Sequence, residues 1–265
     1  MTVRHWQDLS TADFDAGAMA HAVAVLPAGA VEQHGPHLPL GTDVLIARAL
    51  AEAAAALLPG DVTALILPDS AVGWSAEHRE FPGTLTVSPQ TLIAAWCDIG
   101  TSLARADVRR LLIVNAHGGN VPVMDIAARQ LRADHGMRVA ALSWFDFGLP
   151  DGIMDAADAA HDIHGGLLET SMMLHLHPDL VRMDQARDFA SATCELAQHR
   201  PALFARGAAG FGWMAGDLNP AGAMGNAAAA DAGTGNRIVD HAAAGFAAAI
   251  ADLAAMAPPR MPRFP

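Results

Sequence analysis

Short β-branched and apolar runs alternate with longer alanine- and leucine-rich stretches along this chain, and that alternation constrains its fold more than any other feature. Residues 22–26 (AVAVL), 62–67 (VTALIL), 109–115 (RRLLIVN) and 138–143 (RVAALS) read as buried strands, with a further short strand expected at 84–87. Helices are expected over 43–58 with Thr42 as cap, and over 89–106 with Ser88 as cap and Pro89 at the first position. Three more are expected over 121–134, 165–177 and 234–256. Strands separated by helices in this order predict an α/β fold with a largely parallel sheet. No repeat or linker divides the chain, so residues 1–265 are expected to form one domain. The glycine- and alanine-rich segment 187–232 reads as loops and excursions over a site.

Composition narrows the function. Hydrophobic residues make up 52% of the chain, enough to bury a sizeable core. A formal net charge of −12 argues against nucleic acid or a membrane surface as partner. The two cysteines, Cys97 and Cys194, form no metal-type pair and are expected to be reduced thiols. The first fifteen residues lack a basic region followed by an apolar core, so a cytoplasmic location is expected. The alanine-rich stretch 242–256 is interrupted by Asp252 and reads as a packed helix.

The chain contains 13 histidines, and several stand beside glycines and carboxylates in loops that follow predicted strands. In open α/β sheets, ligands bind beyond those carboxyl ends. The first cluster is Glu32-Gln33-His34, with His37 and Asp43 behind it. In extended backbone, residues two apart face the same way, so Glu32 and His34 can address one pocket, and Asp43 at a helix start can reach it. Mixed carboxylate and imidazole donors suit catalytic zinc, manganese or iron; a solvated polar loop is the alternative. The second cluster, Asn115-Ala116-His117-Gly118-Gly119-Asn120, offers His117 as a ligand and two glycine N–H groups near a helix start as an oxyanion site. The third runs His161-Asp162-Ile163-His164-Gly165-Gly166 to Glu169. Glu169, about one turn into the helix, can ligate metal, and His164 can act as acid, base or oxyanion partner. A long loop, 73–84, carries Glu77 and His78 as candidates for substrate contact.

Taken together, AVEQHGPHLPLGTD at 30–43, WSAEHREFPGT at 74–84, NAHGGN at 115–120 and HGGLLETSMML at 164–174 resemble the creatininase family of amidohydrolases. The resemblance implies a three-layer α/β/α sandwich and a homo-oligomer, commonly a hexamer. It implies two divalent ions per chain, with zinc favoured and manganese or iron as alternatives. Glu32 and His117 then hold one ion, His34 the other, and Asp43 bridges them, while His164 stands where a catalytic histidine is found. The implied reaction is hydrolysis of a C–N bond, in an amide, cyclic amide or formamide of a small molecule, through a metal-activated water. A peptidase trimming a modified peptide, or a metal-binding member without turnover, are the alternatives.

Two departures matter. Creatininase itself has a ligating glutamate two residues after the metal histidine, where this chain has Gly119. Glu169 is the candidate to replace it, as in the HGGN-type branch of the family. Creatininase also carries a tryptophan four residues before its catalytic histidine, and the matching position here is Ala160. Trp144 or Phe145 is expected to line the site instead.

Overall fold

The computed structural model describes residues 2–200, 202, 203, 205 and 210–257. Its centre is a five-stranded parallel sheet in the order β1-β3-β2-β4-β5, formed by β1 (Thr2–His5), β2 (Val23–Ala28), β3 (Thr63–Ile66), β4 (Arg110–Asn115) and β5 (Arg138–Ser143). Helices α1 (Thr42–Ala56), α5 (Leu167–Leu176) and α8 (Ala232–Ala255) cover one face and α2 (Pro89–Arg105) and α3 (Val121–His135) the other, while the short α4 (Ala156–Ala159), α6 (Thr193–His199) and α7 (Ala215–Leu218) lie in the connections. The expected three-layer sandwich is therefore present.

The central strands are buried on both faces, as parallel sheets require. Val23 and Val25 pack toward α1, α5 and α8, while Ala24 and Leu26 pack toward α2 and α3. On α2, Ser88 Oγ accepts the Thr91 N–H at 3.1 Å and Pro89 opens the helix, as its sequence predicts. Gly136, in the left-handed region at φ 64°, ends α3. Long, apolar α8 would pass for a membrane span by length and composition, yet its Ile238, Ala242, Phe246 and Ile250 are core residues. Its C-terminal carbonyls are capped from the sheet: the buried Arg110 donates to Leu253 O at 2.8 Å and Met256 O at 3.0 Å.

Three local expectations need correction. Residues 84–87 form no strand; only an isolated bridge joins Leu85 to Val31, because this part of the loop bends back over the segment after β2. Thr42 does not cap α1: Gly41 holds that position, and the Thr42 hydroxyl donates instead to Pro39 O at 2.7 Å. Strand β1 was not expected, since Thr-Val-Arg-His lacks the apolar run of the interior strands, and it forms at the sheet edge where no such run is needed.

The topology positions the site. Ala28, Asn115 and Ser143 stand in one row across the carboxyl ends of β2, β4 and β5. The chain leaves β2 toward α1 on one face and leaves β4 toward α3 on the other, which opens a crevice between two adjacent strands. Gly29 brings the start of α1 down onto the end of β2. A Cβ at residue 29 would lie 2.6 Å from Val44 N and 2.7 Å from the Asp43 carbonyl carbon, so any side chain would push Asp43 away.

Candidate metal centre

Four segments deliver buried ionisable groups to that crevice. The loop after β2 supplies Glu32 and His34, the first turn of α1 supplies Asp43, the residue beyond β4 supplies His117, and the start of α5 supplies His164 and Glu169. His34 Nε2 lies 3.0 Å from Asp43 Oδ1 and 3.8 Å from Glu169 Oε2. His117 Nδ1 lies 3.2 Å from Glu32 Oε1 and 3.3 Å from Asp43 Oδ2. The two oxygens of one carboxylate thus face two different imidazoles. Two candidate ligand triads result, Glu32–Asp43–His117 and His34–Asp43–Glu169, each with its donor atoms within 4.8 Å of one another, and Asp43 belongs to both. A third grouping, Glu32–His34–His164, overlaps them.

The donor set fits divalent metal. Among the described residues, Glu32 Oε2 is buried and accepts no hydrogen bond, and Asp43 Oδ2 is buried with His117 Nδ1, at 3.3 Å, beside it. Anionic oxygens stripped of water without a donor are costly unless a cation meets them. Mixed carboxylate and imidazole donors of this kind suit zinc, manganese or iron in a catalytic role. Each imidazole is also turned by a hydrogen bond at its other nitrogen. His34 Nδ1–H donates to Glu32 O at 3.1 Å, His117 Nε2–H to Trp74 O at 3.0 Å, and His164 Nε2–H to Gln33 O at 2.6 Å. That leaves His34 Nε2 and His117 Nδ1 for the carboxylate cluster, and His164 Nδ1 facing Glu32 Oε1 at 3.6 Å.

Charge divides the histidines into two groups. Burial opposes protonation of His34, but Asp43, with Glu169 and Glu32 behind it, overcomes burial and holds its pKa up at about 10. His117 is likewise raised well above the ordinary histidine value, against burial, by Glu32 and Asp43. Both carboxylates are correspondingly lowered despite burial, Glu32 mainly by His117 and Asp43 mainly by His34. Burial dominates at His78, lowered to about 4, and at His164, lowered well below its usual range with help from the His34 charge. The carboxylates that draw protons to His34 and His117 would draw metal cations in their place.

Above this floor opens a cavity of about 790 Å³. Glu77, His78, Arg79, Gly118 and Gly119 line it, together with Phe145, Phe211, Trp213 and Met214. His78 Nε2 stands 3.5 Å from Glu32 Oε1, its ring stacks on His164 at 4.1 Å, and its Nδ1 meets Gln33 Nε2 at 2.7 Å. Burial raises the Glu77 carboxyl.

The structure brings together Glu32, His34, Asp43, His117, His164 and Glu169 and sets Glu77, His78, Gly118 and Gly119 along the cavity wall. It separates Trp144 from them. That side chain packs edge-on to Phe145 at 5.6 Å within the core beneath α8, and Phe145 is the residue that reaches the cavity. Gly119 stands where the resemblance to creatininase leads one to expect a ligating glutamate. A Cβ there would collide with His117 Nε2 and the Trp74 carbonyl and would lie 2.7 Å from Glu77 Oε1, so the loop has no room for a glutamate. Glu169 reaches the cluster from the start of the helix after His164, one of its oxygens held by the Gly165 N–H at 2.6 Å. Sequence reasoning passed over Gln33, Asn115 and Asn120, which sit between ligands in the same motifs, and the aromatic pair Phe211 and Trp213, whose signal was two large rings in a glycine-rich stretch.

Comparison with known proteins agrees with this geometry. The creatininase family model, described as creatinine amidohydrolase, matches residues 7–250. A mycofactocin precursor peptide peptidase of Mycobacterium ulcerans is 36% identical over 220 residues, covering 81% of this chain and 78% of that protein. A creatinine amidohydrolase of Pseudomonas putida is 35% identical over 197 residues, covering 66% and 72%. A crystal structure of creatininase superimposes with a TM-score of 0.76 at 29% identity, covering 96% of this chain and 98% of that one, and creatininase structures include Zn-Zn and Mn forms. Sequence and fold thus place the chain in the creatininase family.

Proposed function

We propose that this chain hydrolyses a peptide-type amide at a dinuclear metal centre, with Asp43 bridging, Glu32 and His117 on one ion, and His34 and Glu169 on the other. The observation that carries this reading is the pair of ligand triads meeting at Asp43. Zinc is the expected metal, with manganese or iron as alternatives. Bound there, divalent ions supply an ionised water at neutral pH and polarise the scissile carbonyl.

The remaining residues divide the other tasks. His164, with Nε2 engaged by Gln33 O, presents Nδ1 to the reacting centre. The Gly118 and Gly119 backbone borders the cavity where a developing oxyanion needs N–H donors. Glu77, with its carboxyl raised by burial, stands ready to pass a proton to the leaving nitrogen, while His78, kept neutral by burial, borders the same cavity.

Substrate size is the second issue. The cavity is near the upper end of the usual range for small-molecule sites, and its lining includes Phe145, Phe211, Trp213 and Met214. That volume favours an extended, partly apolar amide over a single small ring, in keeping with the peptidase relative. A cytoplasmic homo-oligomer, with a hexamer as the family precedent, completes the reading. The test is metal analysis of the purified protein combined with a panel of creatinine, cyclic amides, formamides and short peptides. Turnover of a peptide but not creatinine supports the proposal; turnover of creatinine alone overturns its substrate half. Absence of bound metal after reconstitution overturns all of it.

A further inference from the structure

Asn120 is fully buried, yet it touches no candidate ligand side chain. Its amide joins three loops. Oδ1 accepts the Trp74 N–H at 3.1 Å, and Nδ2 donates to Gly29 O at 3.1 Å and to Asn115 Oδ1 at 3.2 Å. The first partner belongs to the loop after β3, the second to the loop after β2 and the third to the end of β4. Because one side of the amide meets an N–H and the other a carbonyl, its orientation is fixed. The loops are drawn in tightly: a Cβ on Gly73 would lie 2.7 Å from both Asn120 Oδ1 and Gly29 O.

Two of these links converge on one imidazole. Asn115 grips the His117 backbone, donating from Nδ2 to His117 O at 2.7 Å and accepting the His117 N–H at Oδ1 at 3.2 Å. The Trp74 carbonyl, on the residue whose N–H Asn120 holds, accepts from His117 Nε2 at 3.0 Å. Asn120 therefore touches two of the groups that set the ring, the clamp on its backbone and the nearer acceptor of its Nε2 proton, with Ser75 Oγ more distant from the same nitrogen at 3.4 Å.

We propose that Asn120 is a positioning residue for the metal centre, fixing the Trp74 carbonyl so that His117 carries its proton on Nε2 and turns Nδ1 to Glu32 and Asp43. The proposal rests on the reading of His117 as a metal ligand. An imidazole free to place its proton on either nitrogen loses affinity as a ligand, and loss of such an outer contact typically costs about 10–100-fold in metal affinity. Asn120→Ala removes all three contacts. Asn120→Asp keeps the shape and the acceptor for Trp74 N–H but sets an oxygen against Gly29 O and Asn115 Oδ1, disturbing the same clamp should the alanine variant fail to fold. Trp74→Phe leaves the backbone atoms in place and serves as the control.

The experiment uses zinc-loaded full-length protein with ¹⁵N-labelled histidine, reading the His117 ring nitrogens by NMR and zinc affinity by chelator competition. The wild type is expected to show His117 protonated at Nε2. In Asn120→Ala, or Asn120→Asp, that signal is lost or split and the affinity of one zinc falls by about 10–100-fold. Trp74→Phe is expected to change neither. A folded Asn120 variant with the wild-type His117 signal and both zinc affinities intact overturns the positioning role and leaves the metal centre standing. A wild type that takes up no zinc overturns the centre itself, and this inference with it.

Discussion

The floor and the rim of the cavity are built by opposite rules. On the floor, six ionisable side chains from the loops at the strand ends and from two helix starts are nearly sealed from solvent, and His34, His117, His164 and Glu169 are held by hydrogen bonds at known atoms. On the rim, Arg79 and Phe211 to Met214 come from loops, are half-buried or exposed, and carry few polar contacts among the described residues. Rigid placement suits chemistry, which tolerates little displacement of reacting atoms. A loop-built apolar wall suits discrimination between substrates, since loops vary without disturbing the sheet. The floor should therefore decide whether the reaction runs, and the rim which amide it accepts.

The largest effect should come from the residue both triads share. Asp43→Ala removes the common carboxylate and leaves His34 and His117 without their partner, so kcat/KM should fall by roughly a thousandfold or more in steady-state assays on whichever substrate the panel identifies. Next is the point where floor meets wall. Gly119→Ala forces a methyl against the Trp74 carbonyl and His117, and should cost about 10–100-fold in metal affinity, read by chelator competition. If Gly119→Ala is neutral, the separation of this chain's ligand set from that of creatininase proper loses its steric basis.

Acid–base behaviour sharpens the contrast further. In the metal-free chain, His34 is held at about 10, above its ordinary value. Its contribution to stability is complete below its unfolded pKa and is lost as pH rises through about 10. Asp43 is lowered, so its contribution is present above the ordinary carboxylate range and fades as pH falls. Denaturation of metal-free protein should therefore show a midpoint that declines from neutral pH toward 10. Metal uptake at pH 7 should release protons, seen by calorimetry in buffers of different ionisation enthalpy. The smallest effect belongs to the rim. Trp213→Ala should raise KM by about tenfold, equivalent to about 1.4 kcal/mol of lost apolar contact, with kcat little changed. A large fall in kcat instead would assign the rim to the chemistry and break the comparison.

The same division separates what sequence showed from what it hid. The interior strands were legible because β2, β3 and β4 are apolar runs of the right length between glycine- and proline-bearing loops. That Glu32, His34, Asp43, His117 and Glu169 would come together was legible because their residue types suit one another and the topology sets strand-end loops side by side. Trp144 went astray because β5 ends at Ser143 and a 3-10 turn over Trp144–Phe147 takes over, so a one-residue difference decides which ring faces the cavity. Asn120 was invisible as a functional residue, since a buried amide gains meaning only from the three loops it joins. The rim was least legible, as Phe211 and Trp213 lie far along the chain from every ligand and reach the cavity only through loop geometry.

The most direct test of the central claim is the zinc content of metal-reconstituted wild type measured beside Asp43→Ala. A centre bridged by Asp43 predicts about two zinc ions per wild-type chain and loss of both from the folded variant. A wild type that binds one, or a variant that still binds two, would contradict it.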